Sequence, residues 1–378
     1  MMDQTFGEQR QRRGMTRGAR LLKALHLDGP LLLLLVITAG FGLLVLYSAA
    51  GGNLAMWLRQ LVRCGIAILA MLLLAQVPAR FLRIAAPAAY VVGVLLLLLV
   101  AVLGDIGKGA QRWLDLGLVR FQPSEIMKLA VPMMCAWYLH ERALPPSRWE
   151  TLVVLVIVVA PAALVAEQPD LGTALLIAAA GIVVLLLSGL PWRYVFAGLG
   201  LVAAAAPVAW HFLHDYQRRR LLTLLDPQAD PLGAGYHIIQ SQIAIGSGGV
   251  FGKGWMNGSQ AQLEFLPERS TDFIFAVIGE ELGLLGQLFL IALYLAIIGR
   301  TLYLANECSD SFGRLVAGGV ALTFFVYVFV NTGMVTGILP VVGVPLPLVS
   351  YGGTSMVTLL AGFGILMSLR SQRKLVRT

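Results

Sequence analysis

The sequence predicts an all-α, polytopic integral membrane protein of about ten transmembrane helices, with a long extracytoplasmic loop between the seventh and eighth. Three observations predict it. Of 378 residues, 58% are hydrophobic and only 13% charged, more apolar material than one soluble core of this length can bury. Apolar runs such as Leu31 to Leu46, Tyr90 to Leu103 and Leu152 to Ala166, with their flanks, approach the roughly 18–20 residues that cross about 30 Å of hydrocarbon. Lys and Arg are also distributed unevenly between alternate connections.

Taken in order, residues 1–29 form a basic tail, rich in Arg and poor in acids, with no small-residue cleavage pattern before the first apolar run. Residues 30–370 are a single membrane domain without an internal repeat, and residues 371–378 are a second basic tail. The spans start near Pro30, Trp57, Ile84, Gln122, Thr151, Leu171, Trp192, Thr271, Phe312 and Val349. An even number puts both termini on one side. That side carries both tails, Arg80, Arg83, Arg142, Arg148, Arg193, Arg300 and Arg314, whereas the opposite short connections hold Lys108, Arg112 and Arg120, with Arg59 and Arg63 at the start of a helix. The positive-inside rule therefore makes both termini cytoplasmic and places residues 213–270 outside. The net charge of +8 is accounted for by this topogenic charge and by anionic lipid headgroups, and does not argue for a nucleic-acid partner. Cys64 and Cys135 in helices and Cys308 in a cytoplasmic loop make neither a disulfide framework nor a zinc spacing.

Function must come from polar residues that lipid would reject, since an ionisable group at membrane depth costs roughly 2.5–3.5 kcal/mol on insertion scales. Four regions meet that test. In Lys108 to Lys128, Pro123 suits a first helical turn, and Glu125 and Lys128 share a helix face, as either a structural ion pair or a functional one. Arg112 beside Trp113 reads equally as an interfacial anchor. In Ala166 to Thr173, Asp170 stands near a helix start where a negative charge suits the dipole, the simpler alternative to a place in the site.

The third region contains HDYQRRR, DPLGAGYHIIQSQIAIGSGGVFGKG and LEFLPERSTDF. GSGGVFGKG departs from a phosphate-binding P-loop at Ser247 and Gly254. His211 and His214 with Asp215 have a metal-ligand spacing, but histidines at a helix end in the interface are the commoner case. Asp272 is either an ordinary acid in a first helical turn behind Ser270 or Thr271, or a general base at the outer membrane boundary. The fourth region, Asn331 to Ser355, is uncharged, rich in Pro and Gly and includes Ser350; it cannot be one regular helix, so it is a candidate re-entrant loop beside the site.

The strings QRWLDLGLVRFQPSE, QPDLGT, HDYQRRR, DPLGAGYHIIQS, LPERSTDFIFA and GILPVVGVPLPLVSYGG, in this order, resemble the SEDS family of bacterial cell-wall polymerases from about Leu31 onward, and its elongation branch in particular. The resemblance implies a glycosyltransferase of the bacterial inner membrane that polymerises lipid II, the undecaprenyl-pyrophosphate-linked disaccharide-pentapeptide, at the periplasmic face and releases undecaprenyl pyrophosphate. It implies that Asp272, in ERSTDF, is the essential acid, acting as base in an inverting reaction that makes a β-1,4 link. It also implies that Glu125 and Lys128, in PSEIMK, line a central cavity, with Asp170 and Ser350 as further cavity candidates. Arg112, Lys253 and Arg269 are candidates to meet the departing pyrophosphate. No tightly bound cofactor is implied, though a divalent cation (Mg or Mn) is an alternative partner for that group. The implied partner is a class B penicillin-binding transpeptidase. Ser270 departs from the His of the elongation branch. The rival readings are a lipid II flippase, a non-catalytic scaffold and the division-specific branch of the same family.

Overall fold

The computed structural model describes residues 22, 25–103, 105–107, 110–115, 120–212, 215–229, 234–263 and 265–371. Lys108, His214 and Asp230 lie outside the described residues, as does the side chain of Arg112. The helices are α1 (Gly29–Ala49), α2 (Leu54–Gln76), α3 (Ala79–Leu103), α4 (Pro123–Leu139), α5 (Arg148–Glu167), α6 (Leu171–Leu187), α7 (Trp192–Phe212), α8 (Asp215–Leu225), α9 (Ala234–Gly248), α10 (Ser259–Gln262), α11 (Ile274–Glu307), α12 (Ser311–Thr336) and α13 (Thr354–Ser371). Among the described residues 7 helices are long and apolar enough to cross a membrane: α1, α2, α3, α5, α11, α12 and α13. The shorter apolar helices α6 and α7, and α4 with its internal Glu125 and Lys128, bring the number to the expected ten.

Local chemistry sets the helix starts. Asp28 caps α1 by accepting from the Leu31 amide at 3.0 Å, just ahead of Pro30 in the first turn. Asn53 caps α2 through the Met56 amide, and Ser147 and Glu150 form a reciprocal capping box on α5. Pro123 opens α4 as its sequence position suggests. Between α3 and α4 the chain makes three short antiparallel strands, β1 (Asp105–Gly107), β2 (Ala110–Asp115) and β3 (Arg120–Phe121), in the order β1-β2-β3.

The connection between α7 and α11 is a helical layer and not an open loop. Ser241 on α9 donates to the Val335 carbonyl at 2.7 Å and Gln242 to that of Thr336 at 3.1 Å, docking α9 on the end of α12. The glycine-rich stretch after α9 has a structural task. Helix α11 breaks at Gly283 (φ 65°, ψ −163°), and a Cβ there would stand 2.4 Å from the Gly252 nitrogen. The stretch enters this break: the Leu284 and Leu285 amides donate to the Gly249 and Val250 carbonyls at 3.0 and 3.2 Å, while the Lys253 and Gly254 amides donate to the Glu280 and Glu281 carbonyls at 3.0 and 2.9 Å. Groups orphaned by the kink are thereby satisfied, which membrane depth requires.

At the far end of α11, Arg300 donates twice to the Asp28 carboxylate, at 2.9 and 2.7 Å, and Arg370 donates to Asp28 at 2.6 Å and to Glu307 at 2.7 Å. This network ties the start of α1 to the ends of α11 and α13. Burial pushes Asp28 toward protonation, but the Arg300 hydrogen bonds, the Leu31 amide and the Arg370 charge outweigh it and hold the carboxyl below its ordinary value.

Candidate active site

Asp272 does not lie in a helical first turn. Helix α11 starts at Ile274, with Phe273 in the cap position and no side-chain cap, so the ordinary-helix reading of this acid fails. Asp272 ends a tight turn in which the Thr271 and Phe273 amides both reach the Glu268 carbonyl, at 3.0 and 3.3 Å. The turn is held from outside by the irregular segment between α12 and α13. Ser350 Oγ donates to the Thr271 carbonyl and accepts from the Leu346 amide at 2.8 Å, and the Tyr351 amide donates to the Ser270 carbonyl at 2.8 Å. Asn331, buried on α12, donates to the carbonyls of Asp272 at 2.9 Å and Val344 at 2.7 Å. A Cβ built on Gly343 would stand 3.5 Å from Asp272 Oδ2, so the segment also passes close to the carboxylate itself.

Two non-glycine residues in these segments occupy the left-handed region, Glu268 at φ 49° and Leu348 at φ 62°. Such backbone costs on the order of 1–3 kcal/mol per residue and persists where surroundings over-determine it. The surroundings here are the clamps just described. Beside them His237 of α9 stacks on Phe273 at 5.5 Å, and burial pushes its imidazole below the ordinary value, with Glu268 acting the other way. The clamp thus orders the third and fourth sequence regions around one partly exposed carboxylate.

A second polar centre lies one helical turn away. Lys128 donates to Glu125 at 2.8 Å, both nearly fully buried, and its ammonium sits over the Tyr327 ring at 5.4 Å. Tyr327 and Asn331 are four residues apart on α12, roughly 6 Å along its axis. Lys128, Pro132, Thr323, Tyr327 and Thr358 line a cavity. Glu125 Oε2, Ser124 Oγ and Thr323 Oγ1 are buried without a hydrogen-bond partner among the described residues. An apolar bundle leaves such groups unpaired at a cost of roughly 1–3 kcal/mol each, so a buried polar cluster stands beside this mostly apolar cavity. Asp170 caps α6 through the Thr173 amide at 3.2 Å, as the simpler sequence reading had it, and also accepts from Gln122 at 3.1 Å, joining α6 to the start of α4.

The structure gives the proposed cations different settings. Lys253 donates to Glu280 at 2.7 Å and Ser259 at 2.8 Å; Glu280, 0% exposed, also accepts from the Ser259 hydroxyl and from the amides of Gln260 and Ala261. That carboxylate pairs with Lys253, one of the candidates to meet the departing pyrophosphate, and makes it a strut for the α10 segment. Arg269 donates to the Ala261 carbonyl in the same strut. Sequence reasoning missed the face of α2. Gln60 donates to the Ser350 carbonyl at 3.2 Å and accepts from the Gly352 amide at 3.3 Å, Arg59 reaches the Tyr351 hydroxyl at 3.4 Å, and Arg63 lies 4.5 Å over the Tyr351 ring. The signal was the spacing of Arg59, Gln60 and Arg63, which puts the three on one side of a helix start.

Residues 30–375 match the Cell cycle protein family model of FtsW, RodA and SpoVE. The Peptidoglycan glycosyltransferase MrdB of Escherichia coli (strain K12) is 55% identical over 352 residues, 93% of this chain and 95% of that protein. A solved chain described by "Structural coordination of polymerization and crosslinking by a peptidoglycan synthase complex" matches with TM-score 0.80 and 37% identity over 92% of this chain and 99% of that one. The crystal structure of Rod shape determining protein RodA from Thermus thermophilus matches with TM-score 0.70 and 31% identity, covering 92% and 97%.

Proposed function

This chain belongs to the Cell cycle protein family of FtsW, RodA and SpoVE, and from that premise we infer that it is a peptidoglycan glycosyltransferase polymerising lipid II into glycan strands during cell elongation. It is a multi-pass membrane protein. Our reading places it in the inner membrane with both termini cytoplasmic and the Asp272 end at the periplasmic face. The observation that carries the reading is the clamp: Ser350, Tyr351 and Asn331 hold the backbone of Ser270 to Asp272.

Asp272 takes the proton from the acceptor sugar hydroxyl as its oxygen attacks the anomeric carbon of the donor. The bond from that carbon to pyrophosphate breaks, undecaprenyl pyrophosphate leaves with the bonding electrons, and the new β-1,4 link is inverted. Among the described residues no three of His, Cys, Asp or Glu come together as a metal site. A divalent cation (Mg or Mn) carried by the pyrophosphate needs only one or two protein carboxylates and is the alternative partner for that group; no step is assigned to it. The partner in this reading is a class B penicillin-binding transpeptidase, supported by the similarity to a chain of a peptidoglycan synthase complex. The buried charged pair Glu125 and Lys128, with the unpaired polar groups beside it, favours one second reading, transport of the same lipid.

Polymerisation of purified lipid II by the solubilised chain with its transpeptidase, comparing wild type and Asp272→Asn, tests the first reading. Polymer from the wild type and none from a folded variant is expected. Equal polymer from both removes Asp272 as base, and none from either, with lipid II translocation in vesicles, favours the transporter.

A further inference from the structure

Arg63 lies nine residues into α2, roughly 14 Å along the axis of a helix that crosses the membrane. A guanidinium at that depth is expensive and ordinarily meets a carboxylate or a ligand. Lys128, Arg300 and Arg370, other cations drawn into the bundle, each meet a carboxylate within 2.8 Å. Among the described residues Arg63 and Arg59 meet none; their recorded contacts are the ring and hydroxyl of Tyr351. An arginine carries five N–H donors, of which the ring contact uses none and the Tyr351 hydroxyl only one. Two cations four residues apart on one helix face, fixed on one tyrosine, therefore present a donor set that lacks an anion.

Their location narrows the anion. Tyr351 is bonded to Ser270, and the adjacent Ser350 to Thr271, so the arginine pair stands on the strip that positions Asp272. On α2 beside the pair, Leu58, Leu61, Val62 and Ile66 are exposed apolar side chains that continue toward the membrane interior. A ligand matching both features has a phosphate group at one end and a hydrocarbon chain at the other. We propose that Arg59 and Arg63, held on Tyr351, bind the pyrophosphate of the polyprenyl-linked substrate while its hydrocarbon chain lies along the lipid-facing side of α2. Bidentate guanidinium geometry suits this group better than an ammonium does. The proposal deepens the glycosyltransferase reading and rests on it for the identity of the lipid.

The test is binding without turnover: the full chain carrying Asp272→Asn in phosphatidylcholine nanodiscs, titrated with undecaprenyl pyrophosphate, undecaprenol or phosphatidylglycerol and read by native mass spectrometry. Arg63→Gln and Arg59→Gln are each expected to weaken undecaprenyl pyrophosphate by roughly tenfold or more, the size of a lost charge-assisted hydrogen bond, and to leave undecaprenol unchanged. Arg63→Lys, which keeps the charge and loses the planar fork, is expected to weaken it by a smaller factor and carries the test if a Gln variant fails to insert. Unchanged pyrophosphate binding in these variants overturns the site. Displacement of the probe by equimolar phosphatidylglycerol overturns the substrate assignment, because the arginines then read phosphate on any lipid. Since no polymer forms in this assay, failure of the glycosyltransferase reading shows up separately, in the lipid II polymerisation assay.

Discussion

The two ends of helix α11 hold an acidic residue by different groups. At the Arg300 end, Asp28 is engaged through its own oxygens: two arginines and the Leu31 amide donate to them. At the Ile274 end, Asp272 is engaged through its carbonyl and those of its neighbours, by Asn331, Ser350 and the Tyr351 amide. The first arrangement fixes helices to one another by satisfying an acid. The second fixes the place of an acid through the backbone around it. Glu280 follows the first pattern only eight residues from Asp272, with Lys253 and three further donors on its carboxylate.

The sharpest way to break this contrast is to exchange each acid for its amide. Asp272→Asn is expected to lower polymerisation by roughly 10²–10⁴-fold, the contribution of a general base, with an unchanged unfolding midpoint. A midpoint that falls while activity per folded molecule persists would show that Asp272 belongs with Asp28. Asp28→Ala should do the reverse, costing about 3 kcal/mol, as for breaking a buried charge network, while activity per folded molecule is retained. Because the folded-state value of Asp28 lies below its ordinary 3.8, this stabilisation is complete above that pH and is lost as pH falls through the folded value. Thermal unfolding in detergent at pH 7 and at acid pH measures both parts.

The clamp comes next in size. Ser350→Ala removes the hydroxyl shared by Thr271 and Leu346, and is expected to cost about 1 kcal/mol of stability and to lower kcat roughly tenfold with little change in KM, since a base displaced by a fraction of an ångström loses alignment before it loses substrate. Steady-state polymerisation with varied lipid II separates the two constants. A change in KM alone would make Ser350 a substrate contact, as a cavity candidate would be, and not a positioning residue.

Much of this was legible before the structure. Hydropathy located the crossing segments because lipid demands long apolar runs, 7 of them long and apolar enough among the described residues, and the i, i+3 spacing of Glu125 and Lys128 paired them. The connection after α7 was misjudged because α8 to α10 are short and mixed, and α9 is stabilised by docking on α11 and α12, a partner that periodicity does not name. The last helix was started at Val349, but the backbone there is committed to Ser270 and Thr271, and α13 begins at Thr354. Asp272 could not be separated from an ordinary helix-start acid because the clamp joins residues about 60–80 apart. Arg59 and Arg63 were read only as charges at the start of a helix because their partner, Tyr351, is supplied by the other end of the chain.

The smallest effect concerns His237, which meets the site through the ring of Phe273 and the charge of Glu268. Burial holds its imidazole below the ordinary 6.5, and the charge of Glu268 only partly offsets this. Below 6.5 the unfolded chain therefore binds a proton that the folded chain resists, so stability falls with pH between 6.5 and the folded value and levels off beyond it. The slope cannot exceed about 1.4 kcal/mol per pH unit for one group. His237→Phe, which keeps a ring against Phe273, should flatten this part of the unfolding curve between pH 7 and 5 while leaving the neutral-pH midpoint nearly unchanged. If instead polymerisation at pH 6 falls in the wild type and not in the variant, at equal folded fraction, then protonation of His237 reaches Asp272 through the turn, and the backbone clamp is less rigid than the one around Asp28.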